Sequence, residues 1–468
     1  MDNINFFIND LRYAYIIPQK QKIFKYRNFP TDGAYQFNMD NLFLISNVFN
    51  DAAAVLLFGS GLYFTFRFGF FQFKGLGEIF SKTVGGMIGK NKDKTAFRLF
   101  STSLAGAAGV GNITGVATAI AMGGPGAVFW MWVAAFLGMA TKYAETRFAV
   151  IYRQRKNGYN SSPMEYIFKG TKNAVLPFIF AFFGIIVSFL MGNLIQSRAA
   201  CEAIYEATET SQSISGPLMC IVITIVIFGG FKRIGKFTEK AVPIMTGLYT
   251  VMCAVVIIIY RENIISSVFD IFIYAFKPMS AFGGFTGASI SAAVRCGVSK
   301  GIFSNEAGLG SAGLAYGNTE SSNPDDHALW GAFDVFADTI IISSFSAFAI
   351  LTSDIWKENG SIISVFDKTM GSIGGALGAV CIVLFAVASI ITWEYYGEAC
   401  FAYMTNGKAI NLFRTVFAGL VLVGAMIDSR ILWPIAEIAN TLMMGVNMSA
   451  VLILDVKTKR NIPPKTNQ

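Results

Sequence analysis

Ionisable and amide side chains inside apolar runs are the groups in this chain that could do chemistry. Glu306 lies in GIFSNEAGLGSA (301–312). A carboxylate at bilayer depth costs about 2.5–3.5 kcal/mol on insertion scales, so it needs a partner or a role. It could meet a cation or a freed backbone N–H, or it could anchor an irregular stretch of backbone. Ser304, Asn305, Gly308, Gly310 and Ser311 surround it. Phe303, just before them, could cover a small substrate or simply pack. A second stretch, STSLAGAAGVGNITGVATAIAMGGPGAVFW (101–130), gathers Gly106, Gly109, Gly111 and Gly115 around Asn112. Glycine weakens a helix by about 1 kcal/mol relative to Ala and lets the backbone unwind. An opened helix offers N–H groups at one end and carbonyls at the other, which suit a carboxylate and a cation respectively. Gly109, Val110 and Gly111 could bind an amino acid's carboxylate this way without any Arg. Asn112 adds an amide at the same level, or serves as an interhelical hydrogen bond.

Other candidates are scattered along the chain. Gln196, deep in an apolar run, offers both a donor and an acceptor, which a zwitterion could use. Trp393 could close a pocket or belong to an interfacial belt. Ser389 and Thr392 offer hydroxyl oxygens to a hard cation such as Na⁺, although membrane hydroxyls often bond back to their own helix. Asp334, Asp338 and Glu437 are further candidates for buried carboxylates, to which the sequence assigns no partner. The six cysteines are dispersed, and His327 is the only histidine. No metal spacing, P-loop or catalytic Ser/His or Cys/His pair is present. An enzyme and a self-contained ATP-driven pump are therefore disfavoured, and neither a cofactor nor a nucleic-acid partner is expected.

These residues must be positioned by membrane helices. Mean hydropathy is +0.52, and only 14% of residues are charged. That composition describes an all-α polytopic membrane protein. About eleven runs approach the ~20 apolar residues that cross a bilayer: 43–66, 99–122, 126–152, 174–198, 216–230, 241–260, 288–317, 328–352, 374–402, 409–427 and 431–455. A loop is expected at 201–214 and a long connection at 261–284. Residues 1–40 read as a polar extension, disordered or preceding a true start at Met39, and residues 457–468 as a basic cytoplasmic tail. Lys/Arg bias puts the C-terminus in the cytoplasm and the N-terminus outside. On the first Gly-rich stretch alone, a broken helix and a small-xxx-small packing face (Gly111, Gly115) stand equally. The Gly-rich span at 288–317 favours the break. After one leading span, ten remain, and each half of five opens with such a stretch (about 99–260 and about 288–455). An odd number of spans per half inverts one half against the other.

GVGNITGVATAIAMGGPGAVFWMWVAAFLGMATKYAE (109–145) and GIFSNEAGLGSA (301–312) closely resemble the alanine or glycine:cation symporter family. Gly192-Asn193 with Gln196, GGFKRIGK (229–236) and WEYYGE (393–398) are similar to its motifs, and the likeness spans about 41–456. The resemblance implies a LeuT-type 5+5 inverted repeat plus one extra N-terminal helix. It also implies Na⁺-coupled, sometimes H⁺-coupled, import of alanine, glycine or a D-amino acid across the plasma (inner) membrane. Residue by residue, it implies a pocket of Gly109 to Asn112, Gln196, Phe303 and Trp393. A sodium site would combine first-helix carbonyls with Ser389. The chain departs from the family pattern at Val110, where Thr or Ser is frequent, and at Arg198, Ala388 and Glu394. The expected function is symport of a small neutral amino acid with Na⁺. The alternatives are an H⁺-coupled carrier of the same fold and a non-transporting amino-acid sensor; a channel would need a ring of like charges that is not seen.

Overall fold

Long continuous apolar runs in lipid satisfy their backbone by bonding within each helix, and the described residues are helical nearly throughout. The computed structural model describes residues 33–85, 94–156, 158–277, 290–320, 323–358, 360–427 and 429–459. The helices that matter for function are α1 (Gly33–Arg67), α2 (Lys94–Ala107), α3 (Thr114–Gly123), α4 (Gly126–Ile151), α5 (Leu176–Thr208), α6 (Gln212–Ile227) and α7 (Gly230–Ile259). They continue with α8 (Ile264–Phe276), α9 (Ile290–Asn305), α10 (Ser311–Tyr316), α11 (Pro324–Thr352), α12 (Ile362–Thr405), α13 (Ile410–Met426) and α14 (Ser429–Lys459). A two-residue β-hairpin pairs Arg155 with Asn160 and Lys156 with Tyr159.

Among the described residues seven helices are long and apolar enough to cross a membrane: most of α1, α7 and α14, and the whole of α4, α5, α11 and α12. The helices α6 and α13 are apolar but shorter. Both Gly-rich stretches are interrupted, α2 from α3 and α9 from α10, so neither forms a single long apolar helix. Several boundaries differ from expectation. The α1 helix starts at Gly33, inside the stretch expected to be an extension. The expected loop at 201–214 is helical as far as Thr208. The expected connection at 261–284 contains α8, whose residues Ser267, Ile271 and Ala275 are buried. Residues 1–32 and 460–468 lie outside the described residues.

Helix α4 lies at the centre, packed against α9 and α11, while α5 packs along α12. Gly126 shows how close the contacts are, since a Cβ there would sit 2.2 Å from the Tyr274 carbonyl oxygen of α8. Two helices carry π-helical turns, Leu190–Leu194 in α5 and Phe336–Ser343 in α11. Such turns shift the helix face by a residue and often mark functional sites. Here they set the positions of Gln196 and Asp338.

Candidate functional site

The first break is built on close approach. The α2 helix stops at Ala107, Gly109 is extended (φ −97°, ψ −155°), and Val110–Asn112 form one 3₁₀ turn before α3. Gln196 Oε1 accepts the Val110 N–H at 3.0 Å, and Gln196 Nε2 donates to the Met191 carbonyl at 3.3 Å. A Cβ on Gly109 would lie 2.7 Å from Gln196 Nε2, and one on Gly111 2.9 Å from the Phe303 ring. Glycine is what lets Gln196 and Phe303 touch this backbone. Gly115 has open space where a Cβ would be, so the helix-packing reading of Gly111 and Gly115 fails at Gly115.

Asp338 joins the two breaks. Its Oδ1 accepts from Asn112 Nδ2 at 2.7 Å, and its Oδ2 accepts from Ser304 Oγ at 2.6 Å and Thr339 Oγ1 at 2.9 Å. Asn112 Nδ2 also reaches the Asp338 carbonyl at 2.8 Å. Ser346 donates to the Asn112 carbonyl at 2.6 Å and contacts Tyr249. All of these side chains are buried. Asp338 thus has the partners that its sequence could not show.

The second break is held from several sides. Glu306 (φ 55°), Gly308 (φ 88°) and Gly310 (φ 93°) take left-handed backbone, which costs a non-glycine residue of order 1–3 kcal/mol. Two bonds hold Glu306 there: Ser311 Oγ donates to Oε2 at 2.6 Å and Trp393 Nε1 donates to Oε1 at 3.0 Å. Asn305 Oδ1 accepts from the Ala307 N–H at 3.0 Å. The Gly308 N–H donates to Glu145 at 3.1 Å, and its carbonyl accepts from Asn447 at 2.8 Å. Trp393 is fully buried and so tightly packed that a Cβ on Gly192 would lie 2.2 Å from its own Cβ. It braces Glu306 and does not lie in an interfacial belt.

Ser389 Oγ donates to the Gly106 carbonyl at 3.2 Å, bringing a hydroxyl and a carbonyl oxygen together at the end of α2. Thr392 bonds back to the Ala388 carbonyl at 2.9 Å. Arg198 turns away from the break to Glu202 and the Ala425 carbonyl. Glu394 lies 4.0 Å from Arg414, which pairs with Glu398. Asp334 pairs with Lys142 at 2.7 Å and accepts from Ser103 at 2.6 Å. Lys142 and Glu145 escaped the sequence reading although both lie in the KYAE end of the first motif. A lysine inside an apolar span was the available signal.

The two sides of this centre differ. On the α9 side, Phe303 lies 4.5 Å from Trp433, Lys300 stands 3.8 Å over the Trp433 ring, and Glu437 takes Lys300 at 3.2 Å and Asn50 at 2.9 Å. Among the described residues a narrow cleft lined by Ser299, Phe303 and Glu437 lies there, beside a more open pocket of roughly 410 Å³ between α1 and the start of α9 at Asn50, Asp51 and Arg295. On the α2 side a groove of roughly 740 Å³ runs between α2, α7 and α11, from Lys94 and Glu239 to Leu104 and Ile342.

Comparison with known proteins agrees with a transporter. Residues 38–463 match the family model described as the sodium:alanine symporter family. The chain is 35% identical to the sodium/alanine symporter AgcS of Methanococcus maripaludis, over 86% of this chain and 91% of that protein. It is 33% identical to the amino-acid carrier protein AlsT of Bacillus subtilis (85% and 86% covered) and 37% identical to an uncharacterized transporter of Haemophilus influenzae (85% and 89%). Its fold is similar to that of a manganese transporter of Eremococcus coleocola, with a TM-score of 0.51 over 77% of each chain at 11% identity. The family and these relatives are transporters, not enzymes. The chain is a multi-pass membrane protein and belongs to the sodium:alanine symporter family.

Proposed function

We propose that this protein is a secondary active symporter that imports a small neutral amino acid, alanine or glycine or a D-amino acid, with Na⁺. The observation that carries the reading is the meeting of two helix breaks at Gln196, Phe303 and Asp338. The N-terminal end of α3 presents backbone N–H groups with the positive end of its dipole. A substrate carboxylate would take the Val110 N–H from Gln196 Oε1, freeing the Gln196 amide to bond the substrate in turn. Gly111 lies so close to Phe303 that a Cβ there would be 2.9 Å from the ring, so a substrate side chain seated beside it would have to be small. The Gly106 carbonyl and Ser389 hydroxyl provide oxygen ligands of the kind Na⁺ prefers; Thr392 would join them only by releasing Ala388. The repeats would run over about 99–260 and about 288–455 in a LeuT-type 5+5 arrangement with α1 as the extra helix, eleven spans in all, counting α6, α13 and the two broken helices. With the N-terminus outside and the C-terminus in the cytoplasm of the inner membrane, the closed α9 side faces outward and the α2 groove faces inward.

Equilibrium binding of labelled alanine to the purified protein tests the site. Binding should strengthen with Na⁺ and be displaced by glycine. Gly111→Leu, whose Cβ alone would lie 2.9 Å from the Phe303 ring, should lose binding at least tenfold, about 1.4 kcal/mol. Unchanged binding by Gly111→Leu would refute the pocket.

A further inference from the structure

The carbonyl ends of the two breaks are treated differently. Among the described residues, the side chain that meets the Gly106 carbonyl at the end of α2 is a hydroxyl, Ser389. At the end of α9 the Asn305 carbonyl accepts from Lys142 Nζ at 2.9 Å. That ammonium is fully buried and also pairs with Asp334 at 2.7 Å. Asn305 is the last residue of α9. A helix C-terminus presents unpaired carbonyls and partial negative charge, which is where an unwound helix draws a cation. Lys142 is delivered by α4, the helix against which α9 and α11 both pack. A lysine held without solvent at the centre of a membrane protein requires such partners.

We propose that Lys142 is a tethered cation that permanently fills the cation position at the second break, so that transport couples to one mobile cation and not two. This rests on the symport reading above and adds its stoichiometry. The charge balance is simple. The zwitterionic amino acid carries no net charge, the mobile cation carries one, and the Lys142 charge stays with the protein. Each turnover therefore moves one positive charge.

The test is the reversal point of transport. The full chain is reconstituted in proteoliposomes with the membrane potential clamped at zero. The alanine ratio at which net flux vanishes is measured against an imposed Na⁺ ratio. One mobile cation predicts reversal at an alanine ratio of about tenfold for a tenfold Na⁺ gradient, and reversal near about a hundredfold would overturn the proposal. In Lys142→Met the lost charge should be replaced by a second Na⁺. The Na⁺ dependence should steepen and the reversal point move toward about a hundredfold, whereas Lys142→Arg should behave as wild type. A Lys142→Met protein that transports with unchanged first-power coupling would also overturn it. Should Lys142→Met not fold, the wild-type reversal point still decides. Failure of the symport reading looks different: no net flux under any Na⁺ gradient. If protons drive the flux, the same titration against a proton gradient applies the same criterion to Lys142.

Discussion

Gln196 and Asp338 do different work at the same centre. Gln196 satisfies one freed N–H, that of Val110. Losing a partner of a buried N–H costs about 1–3 kcal/mol. Gln196→Leu should therefore destabilise the protein by about that amount and weaken alanine binding, measured by thermal unfolding in detergent and by equilibrium binding. Asp338 holds Asn112, Ser304 and Thr339 together. Removing its carboxylate leaves three buried donors without that acceptor, so Asp338→Ala should cost more than Gln196→Leu in the same melts; an equal or smaller loss would count against Asp338 as the link. Gly109, Gly111, Asn112, Gln196 and Glu306 were legible in the sequence because each breaks the rule of its apolar surroundings. Their partners were not. Asn112 and Asp338 are far apart in the chain, and nothing in the local pattern of either predicts that they meet.

The helix breaks were also legible, because glycines cluster there and left-handed backbone favours glycine. The π-helical turns at Leu190–Leu194 and Phe336–Ser343 were not, since one extra residue in a turn leaves the apolar pattern nearly intact. The expected end of the helix at 174–198 falls short because polar residues like Glu202 and Glu206 interrupt the apolar pattern, whereas α5 continues to Thr208. The α5–α12 contact offers a prediction at this scale. A methyl group on Gly192 would overlap Trp393, and overpacking typically costs about 1–3 kcal/mol. Gly192→Ala should lower the melting temperature and, by moving Trp393 off Glu306, reduce binding further than its stability loss explains. A variant with wild-type melting and binding would show that Trp393 does not brace the second break.

At the scale of the whole molecule, Phe303 and its neighbours close the approach to the centre on the α9 side to a narrow cleft, while a larger groove runs along the α2 side. The closed side depends on Lys300, Glu437, Phe303 and Trp433, and the ion pair is partly buried, with side chains 11% and 14% exposed. Glu437→Gln removes that charge pairing and should open the narrow cleft. A cysteine placed at Ser299, which lines the cleft, should then react several-fold faster with a membrane-impermeant thiol reagent than in the parent. An unchanged rate would show that Lys300–Glu437 does not close this side. The proposed function is gradient-driven import. The measurement that tests this most directly is labelled alanine uptake by proteoliposomes of the purified protein, with an inward Na⁺ gradient, with choline in its place, and with a proton gradient alone. Accumulation above the external concentration with Na⁺ and not with choline is the predicted result. Accumulation driven by protons alone, or binding without accumulation under any gradient, would contradict it.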